Sequence, residues 1–215
     1  MEHSTISIEQ AQRIIAASQF ENVPCFPRPV SHSNDFIKPL LESGADGLLI
    51  QMVNNMQELE KIVSDVKFSP VGSRSFGINR AHGYGVNFDE YVNNWNSTSS
   101  LIVQIESVEG VANIHSIVSH PEVDGVMIGP YDLSGSLGVP GQIEHPDVLA
   151  STRIVIDACE MAGKSCGTQV SVATNASVSN LLSQGYTYVI LGSDLFTLSS
   201  WSTDMSALIK NLRTI

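Results

Sequence analysis

The sequence predicts an α/β protein of the TIM (β/α)8-barrel type, built on fewer than the usual eight strands. Three observations predict it. Short apolar runs rich in β-branched residues alternate with segments of helical spacing. The runs at 101–105 and 123–128 are β-branched enough to read as fully buried parallel strands. Six strand-plus-helix repeats follow one another almost without a break. The 215 residues, 42% of them hydrophobic, suffice for one sizeable core, and no long linker or low-complexity tract divides them. Residues 1–215 are therefore read as a single barrel-type domain.

In chain order, Ser4 or Ser7 is placed to cap a helix through about Ser18, with Ile8, Ala11, Ile14 and Ile15 on one apolar stripe. Residues 24–29 read as the first strand, their prolines assigned to irregular positions. A helix over 34–43 carries Pro39 inside it, Gly44 ends it, and 45–50 is the second strand. Residues 55–66 are helical. Residues 68–86 form a long irregular stretch rich in Gly, Ser and Arg, of the kind that is usually functional or mobile. A short helix over 88–95 precedes the third strand, 101–105. One helix over 109–119 leads to the fourth strand, 123–128, and a turn-rich segment runs from Asp132 to Pro146. Then come a helix over 147–162, a strand over 165–170, a helix over 176–183, a strand over 186–191 and a final helix over 200–213.

Charge excludes some functions. A formal net charge of −11 and a pI near 4.8 do not suit a nucleic-acid or anionic-membrane surface, which needs clustered Lys and Arg. No apolar run approaches the roughly 20 residues that span a bilayer, and the first residues lack the regions of a signal peptide, so a cytoplasmic location is expected. Cys25, Cys159 and Cys166 show no CxxC spacing and read as reduced, mostly buried thiols. No glycine-rich nucleotide loop is present, so no nucleotide cofactor is expected.

Two carboxylates, Glu106 and Asp132, follow two successive predicted strands, and parallel strands point their carboxyl ends toward one rim. Two anionic oxygen ligands on that rim suit a hard divalent cation such as Mg²⁺ or Mn²⁺. The alternative reading is that Glu106 caps a helix and Asp132 orders a turn. His32, His82, His115, His120 and His145 are scattered without ligand spacing and read as loop or surface residues.

Several segments carry a family resemblance. They are EHS at 2–4, RP at 28–29, LLESGADGLLIQMV at 40–53, VQIES at 103–107, VDGVMIGPYDLSGSLG at 123–138 and LGSD at 191–194. Together they resemble the HpcH/HpaI aldolase/citrate lyase family of pyruvate-dependent class II aldolases, which form (β/α)8 barrels, and the likeness covers nearly the whole chain. The resemblance places the first two barrel strands of relatives ahead of the EHS segment, so an open six-stranded arc is expected here. His3, close to the chain start, is then expected to be poorly held, giving a chain that binds metal but turns over poorly.

The resemblance also implies the chemistry. Glu106 and Asp132 become the ligands of a divalent metal, Mg²⁺ or Mn²⁺ with Co²⁺ as a further option. Gln104, Gly129, Pro130, and the backbone N–H groups of Tyr131 and Asp132 hold a 2-oxoacid such as pyruvate. Arg28 polarises the ketone and steadies the developing enolate. His3 takes the proton of the 4-hydroxyl group, and Glu42 orients it. Arg74 or Arg80 either meets the acidic end of a substrate or orders its own loop, and Gln51 replaces a proline frequent in relatives. The implied reaction is reversible cleavage of a 4-hydroxy-2-oxoacid into a 2-oxoacid and an aldehyde, with no Schiff-base lysine. The rivals are a lyase acting on coenzyme A thioesters and a non-catalytic barrel fragment serving as a binding or assembly module. A homohexamer built as a trimer of dimers is implied, with Trp201, Met205, Leu208, Ile209 and Leu212 able to form a seam.

Overall fold

In the computed structural model, which describes residues 1–213, five parallel strands form one sheet in strict sequence order and curl into a half-barrel. Helices α1 (Ile8–Phe20) and α2 (Asn34–Glu42) precede β1 (Gly47–Ile50). Helices α3 (Met56–Val66) and α4 (Phe88–Thr98) lead to β2 (Ser100–Ile105), and α5 (Val108–Ala112) and α6 (Ile114–Ser119) to β3 (Gly125–Ile128). Then follow α7 (Pro130–Ser136), α8 (Pro146–Ala162), β4 (Ser165–Val170), α9 (Asn175–Ser183), β5 (Tyr188–Leu191) and α10 (Asp194–Arg213). None of the helices among the described residues is long and apolar enough to cross a membrane.

Capping follows the sequence. Ser7 accepts from Gln10 N while Gln10 reaches back to Ser7 N, a full capping box that selects Ser7 over Ser4 as the start of α1. Ser33, Asn55 and Ser107 cap α2, α3 and α5 by a side-chain oxygen alone, and Thr174 starts α9 with another capping box to Ser177. The residue ahead of a strand staples it to its neighbour. Asp46 accepts from Cys25 N, Asp124 from Leu101 N and Thr187 from Cys166 N, at 2.7–2.9 Å. Above these staples Ile50 lies opposite Val103, Ile105 opposite Ile128 and Met127 opposite Gly167. One face of the sheet buries Leu48, Ile50, Leu101, Val103, Val126 and Ile128 against the helices. The alternate residues, among them Gln104 and Met127, face the concave side.

Three expectations are corrected. The first predicted strand, 24–29, is an extended segment and not a strand. Asp46 N donates to Cys25 O and Leu49 N to Pro27 O, so the segment lies alongside β1. Pro24, Pro27 and Pro29 have no N–H to return, and the ladder stays one-sided. The described strands thus number five where six were expected. The single helix over 109–119 is two, broken at Asn113, whose amide side chain turns to Asn54 O at 2.8 Å. The turn-rich segment after the fourth predicted strand begins with a helix, α7, started by Pro130 at its first position, so Asp132 sits in a first helical turn instead of at a strand end.

The long stretch after α3 is ordered. Arg74 is buried, its guanidinium against the rings of Phe68, Tyr91 and Trp95, and it donates to Tyr91 Oη at 3.0 Å. Arg80 donates to Gln19 Oε1 and Ser43 O. Both arginines therefore order their loop within the chain. Lys67 is 2% exposed and spends its ammonium on the carbonyls of Asn96 and Ser99 and on Glu122 at 3.1 Å. Lys67→Met keeps the aliphatic stem and strips three acceptors of their donor. A loss of about 3 kcal/mol in denaturant unfolding is expected; a loss below about 1 kcal/mol would refute this account.

Candidate active site

A cleft of about 630 Å³ opens at the carboxyl ends of the strands, lined by His3, Arg28, Gln104, Met127, Gly129, Pro130, Tyr131 and Asp132 on one side. Glu144, Thr152, Gln169, Ser171 and Asn180 face them. Glu106 stands directly after β2 and is only 4% exposed. Its Oε1 accepts from Met52 N at 2.9 Å and its Oε2 from Gln104 Nε2 at 2.5 Å. Gln104 is two residues earlier on the strand, so the period-two alternation puts both side chains on one face. Gln104 Oε1 in turn accepts from Arg28 Nη1 at 2.8 Å. Arg28 pairs through Nε with Glu2 at 3.3 Å, and the Met1 ammonium donates to Arg28 O. A chain of contacts thus runs Glu2–Arg28–Gln104–Glu106.

Burial pushes the Glu106 carboxyl up to about 7; the Met52 N–H opposes this, and the negative charges of Asp132 and Glu2 add to it. A cation between the two carboxylates would reverse that balance. The residues fit such an ion. Gly129 lies so close that a Cβ there would stand 2.5 Å from Glu106 Oε2 and 2.7 Å from Gln104 Nε2, so glycine keeps the space beside the carboxylate clear. Among the described residues no cluster of three or more His, Cys, Asp or Glu forms a closed cage. Two carboxylates with water completing the shell suit Mg²⁺ or Mn²⁺. Gly129→Ala is expected to displace Glu106 and lower Mn²⁺ affinity at least tenfold by titration calorimetry, with the helical circular dichroism unchanged. Unaltered affinity would show that the space is not needed.

The structure brings Arg28, Gln104, Gly129, Pro130, Tyr131 and Asp132 to one cleft, with Glu106 bonded behind them. His3 lines it too; its side chain is 68% exposed, with Glu2 at 3.8 Å, and its φ is +60°. Glu42 does not join them. It ends α2, and a helix that feeds a strand ends at the amino rim of the sheet, opposite the cleft. There Glu42 pairs with Lys38 at 3.8 Å, so the expectation that it orients His3 is not met within this chain. Two participants escaped the sequence reading. Glu2 could have been found from its charge beside His3, whereas the Met52 N–H is a backbone donor that no residue type reveals.

A β/α sheet that gathers charged and amide side chains at its carboxyl rim has the layout of a barrel enzyme. The family model for HpcH/HpaI aldolase/citrate lyase matches residues 1–200. The chain is 34% identical over 179 residues to a hydroxypyruvate/pyruvate aldolase of Chromohalobacter salexigens, covering 81% of this chain and 69% of that protein. It is 30% identical over 211 residues to a 2-dehydro-3,6-dideoxy-6-sulfogluconate aldolase of Pseudomonas putida, covering 98% and 82%. Among solved structures, the HpcH/HpaI aldolase from Desulfitobacterium hafniense DCB-2 matches with a TM-score of 0.89 at 27% identity, over 97% of this chain and 81% of that one. The chain belongs to the HpcH/HpaI aldolase/citrate lyase family and is a carbon–carbon lyase.

Proposed function

We propose that this chain reversibly cleaves a 4-hydroxy-2-oxoacid into pyruvate, or a close 2-oxoacid, and an aldehyde, with Glu106 and Asp132 holding a divalent cation. The observation that carries the reading is the buried Glu106 carboxylate, braced by Gln104 and Met52 N–H beside a glycine-cleared space and the charge of Asp132. When bound there, Mg²⁺ or Mn²⁺ supplies Lewis-acid stabilisation of negative charge on the 2-oxo oxygen. Arg28 adds fixed positive charge on the same side of the cleft, held in place by Gln104 and Glu2. Tyr131 and Asp132 lie in the first turn of α7, where helix geometry supplies no acceptor for their N–H groups, and these receive the substrate carboxylate. His3 accepts the 4-hydroxyl proton as the carbon–carbon bond breaks and returns it in the reverse direction.

Among the described residues, none that lines the cleft is a lysine, which argues for this route over a Schiff base. The test is pyruvate release from a 4-hydroxy-2-oxoacid with and without EDTA, alongside borohydride treatment in the presence of pyruvate. EDTA should stop turnover and the protein mass should stay unchanged. A reduced adduct on lysine, or cleavage of acyl-CoA thioesters in its place, would defeat the proposal. α10 leaves Trp201, Leu208, Ile209 and Leu212 exposed, which supports a homo-oligomer; sedimentation equilibrium reads its size.

A further inference from the structure

A single peptide group stands between His32 and Glu106. Its carbonyl, that of Gln51, accepts a hydrogen bond from His32 Nε2 at 2.6 Å. Its N–H, that of Met52, donates to Glu106 Oε1 at 2.9 Å. A carbonyl oxygen only accepts, so His32 carries its proton on Nε2. A hydrogen bond to an amide oxygen draws electron density from the nitrogen and makes the N–H a stronger donor, so the two bonds reinforce each other.

Within the turn that presents this peptide, Asn54 Nδ2 donates to Met52 O at 3.2 Å, whereas the Gln51 carbonyl and the Met52 N–H are tied from outside it, by His32 and Glu106. Met52 sits at φ +50°, in the left-handed region that a residue with a side chain occupies only when its surroundings impose it. Its side chain is exposed and offers no such constraint. On the C-terminal side, Val53 N binds Gln104 O and Asn54 O accepts from Asn113 Nδ2. On the N-terminal side, the tie to the Gln51 carbonyl is His32. Because Gln104 already holds the other Glu106 oxygen, the Met52 N–H sets the rotation of the carboxylate.

We propose that His32 is a positioning residue for Glu106: by fixing the Gln51–Met52 peptide it aims the Met52 N–H at Oε1 and so orients the carboxylate for a divalent cation. This rests on the reading of Glu106 as a metal ligand given above. His32 is not one of the residues lining the cleft and acts on Glu106 through one backbone unit.

The test uses His32→Phe and His32→Ala, which both remove the donor, so that misfolding of one leaves the other, and His32→Gln, whose Nε2 replaces the ring donor. Two quantities are read: the Met52 amide proton shift in metal-free protein, and the Mn²⁺ dissociation constant by electron paramagnetic resonance. In the donor-free variants the Met52 amide should move upfield and the Mn²⁺ constant rise about tenfold, while H32Q stays within about threefold of wild type. A Met52 amide that ignores the loss of His32 overturns the positioning role alone. So does Mn²⁺ binding weakened as much in H32Q as in H32F. Wild-type protein that binds no Mn²⁺ overturns the metal reading and the positioning role with it.

Discussion

Glu106→Gln is expected to lower aldol cleavage by about 10³-fold or more and to abolish Mn²⁺ binding, because the amide cannot supply the anionic oxygen a hard cation needs. The same change should flatten the pH dependence of folding. The folded Glu106 carboxyl titrates at about 7, above its ordinary value of 4.5, so between those values the metal-free folded protein holds a proton that the unfolded chain has released. Stability contributed by that proton is complete below about 4.5 and is lost as pH rises through about 7. Wild-type metal-free protein should therefore weaken by about 1–3 kcal/mol between pH 5 and pH 8, and the glutamine variant should not. The slope is the quantity to read. In the variant one of the two donors, Met52 N–H or Gln104 Nε2, meets an amide NH₂, which shifts stability equally at every pH. Equal slopes for the two proteins in urea titrations at several pH values would contradict the placement of this charge.

Arg28→Lys is the second large effect. Arg28 uses Nη1 on Gln104 and Nε on Glu2, two donors set apart on a planar guanidinium, whereas the donors of an ammonium all radiate from one nitrogen and do not match both acceptor positions. Lysine would keep the charge and lose one bond. If it stays with Glu2, Gln104 is released and with it the tie to Glu106 Oε2. The expected outcome is a fall of about 10²–10³-fold in kcat, a smaller rise in KM for the 2-oxoacid, and unfolding within about 1 kcal/mol of wild type. Steady-state kinetics with unchanged kcat would show that the positive charge alone suffices.

The strands β1 and β3 were legible because they are buried and apolar throughout, GLLI and GVMI, and the others because short runs of strand composition alternate with helical spacing. The helices were legible from the spacing of their apolar residues, and for α1 also from the cap at Ser7, whereas the caps at Ser33, Asn55 and Thr174 were seen only in the structure. What failed did so where local chemistry has two outcomes. Residues 24–29 have the composition of a strand and the extended backbone of one, yet their prolines cannot complete a ladder. Asn113 fits a helix interior until Asn54 offers its carbonyl, and the Gly-Pro start of α7 reads equally as a turn. At the site, Glu106 was readable as a carboxylate directly after a strand, whereas Gln104 entered only through the family resemblance. The role of Glu42 came from the resemblance alone, although its place at the end of a helix that feeds a strand puts it at the amino rim. The His32–Gln51 contact stayed hidden because its partner is backbone.

Arg28 and Gln104 are separated by 76 residues along the chain, and Met52 and Glu106 by 54. Each contact forms only when distant segments meet, whereas the helices need only neighbours a turn away. During refolding from urea, ellipticity should consequently recover well ahead of enzymatic competence, and the lag between the two signals times the closure of the sheet around its charged rim.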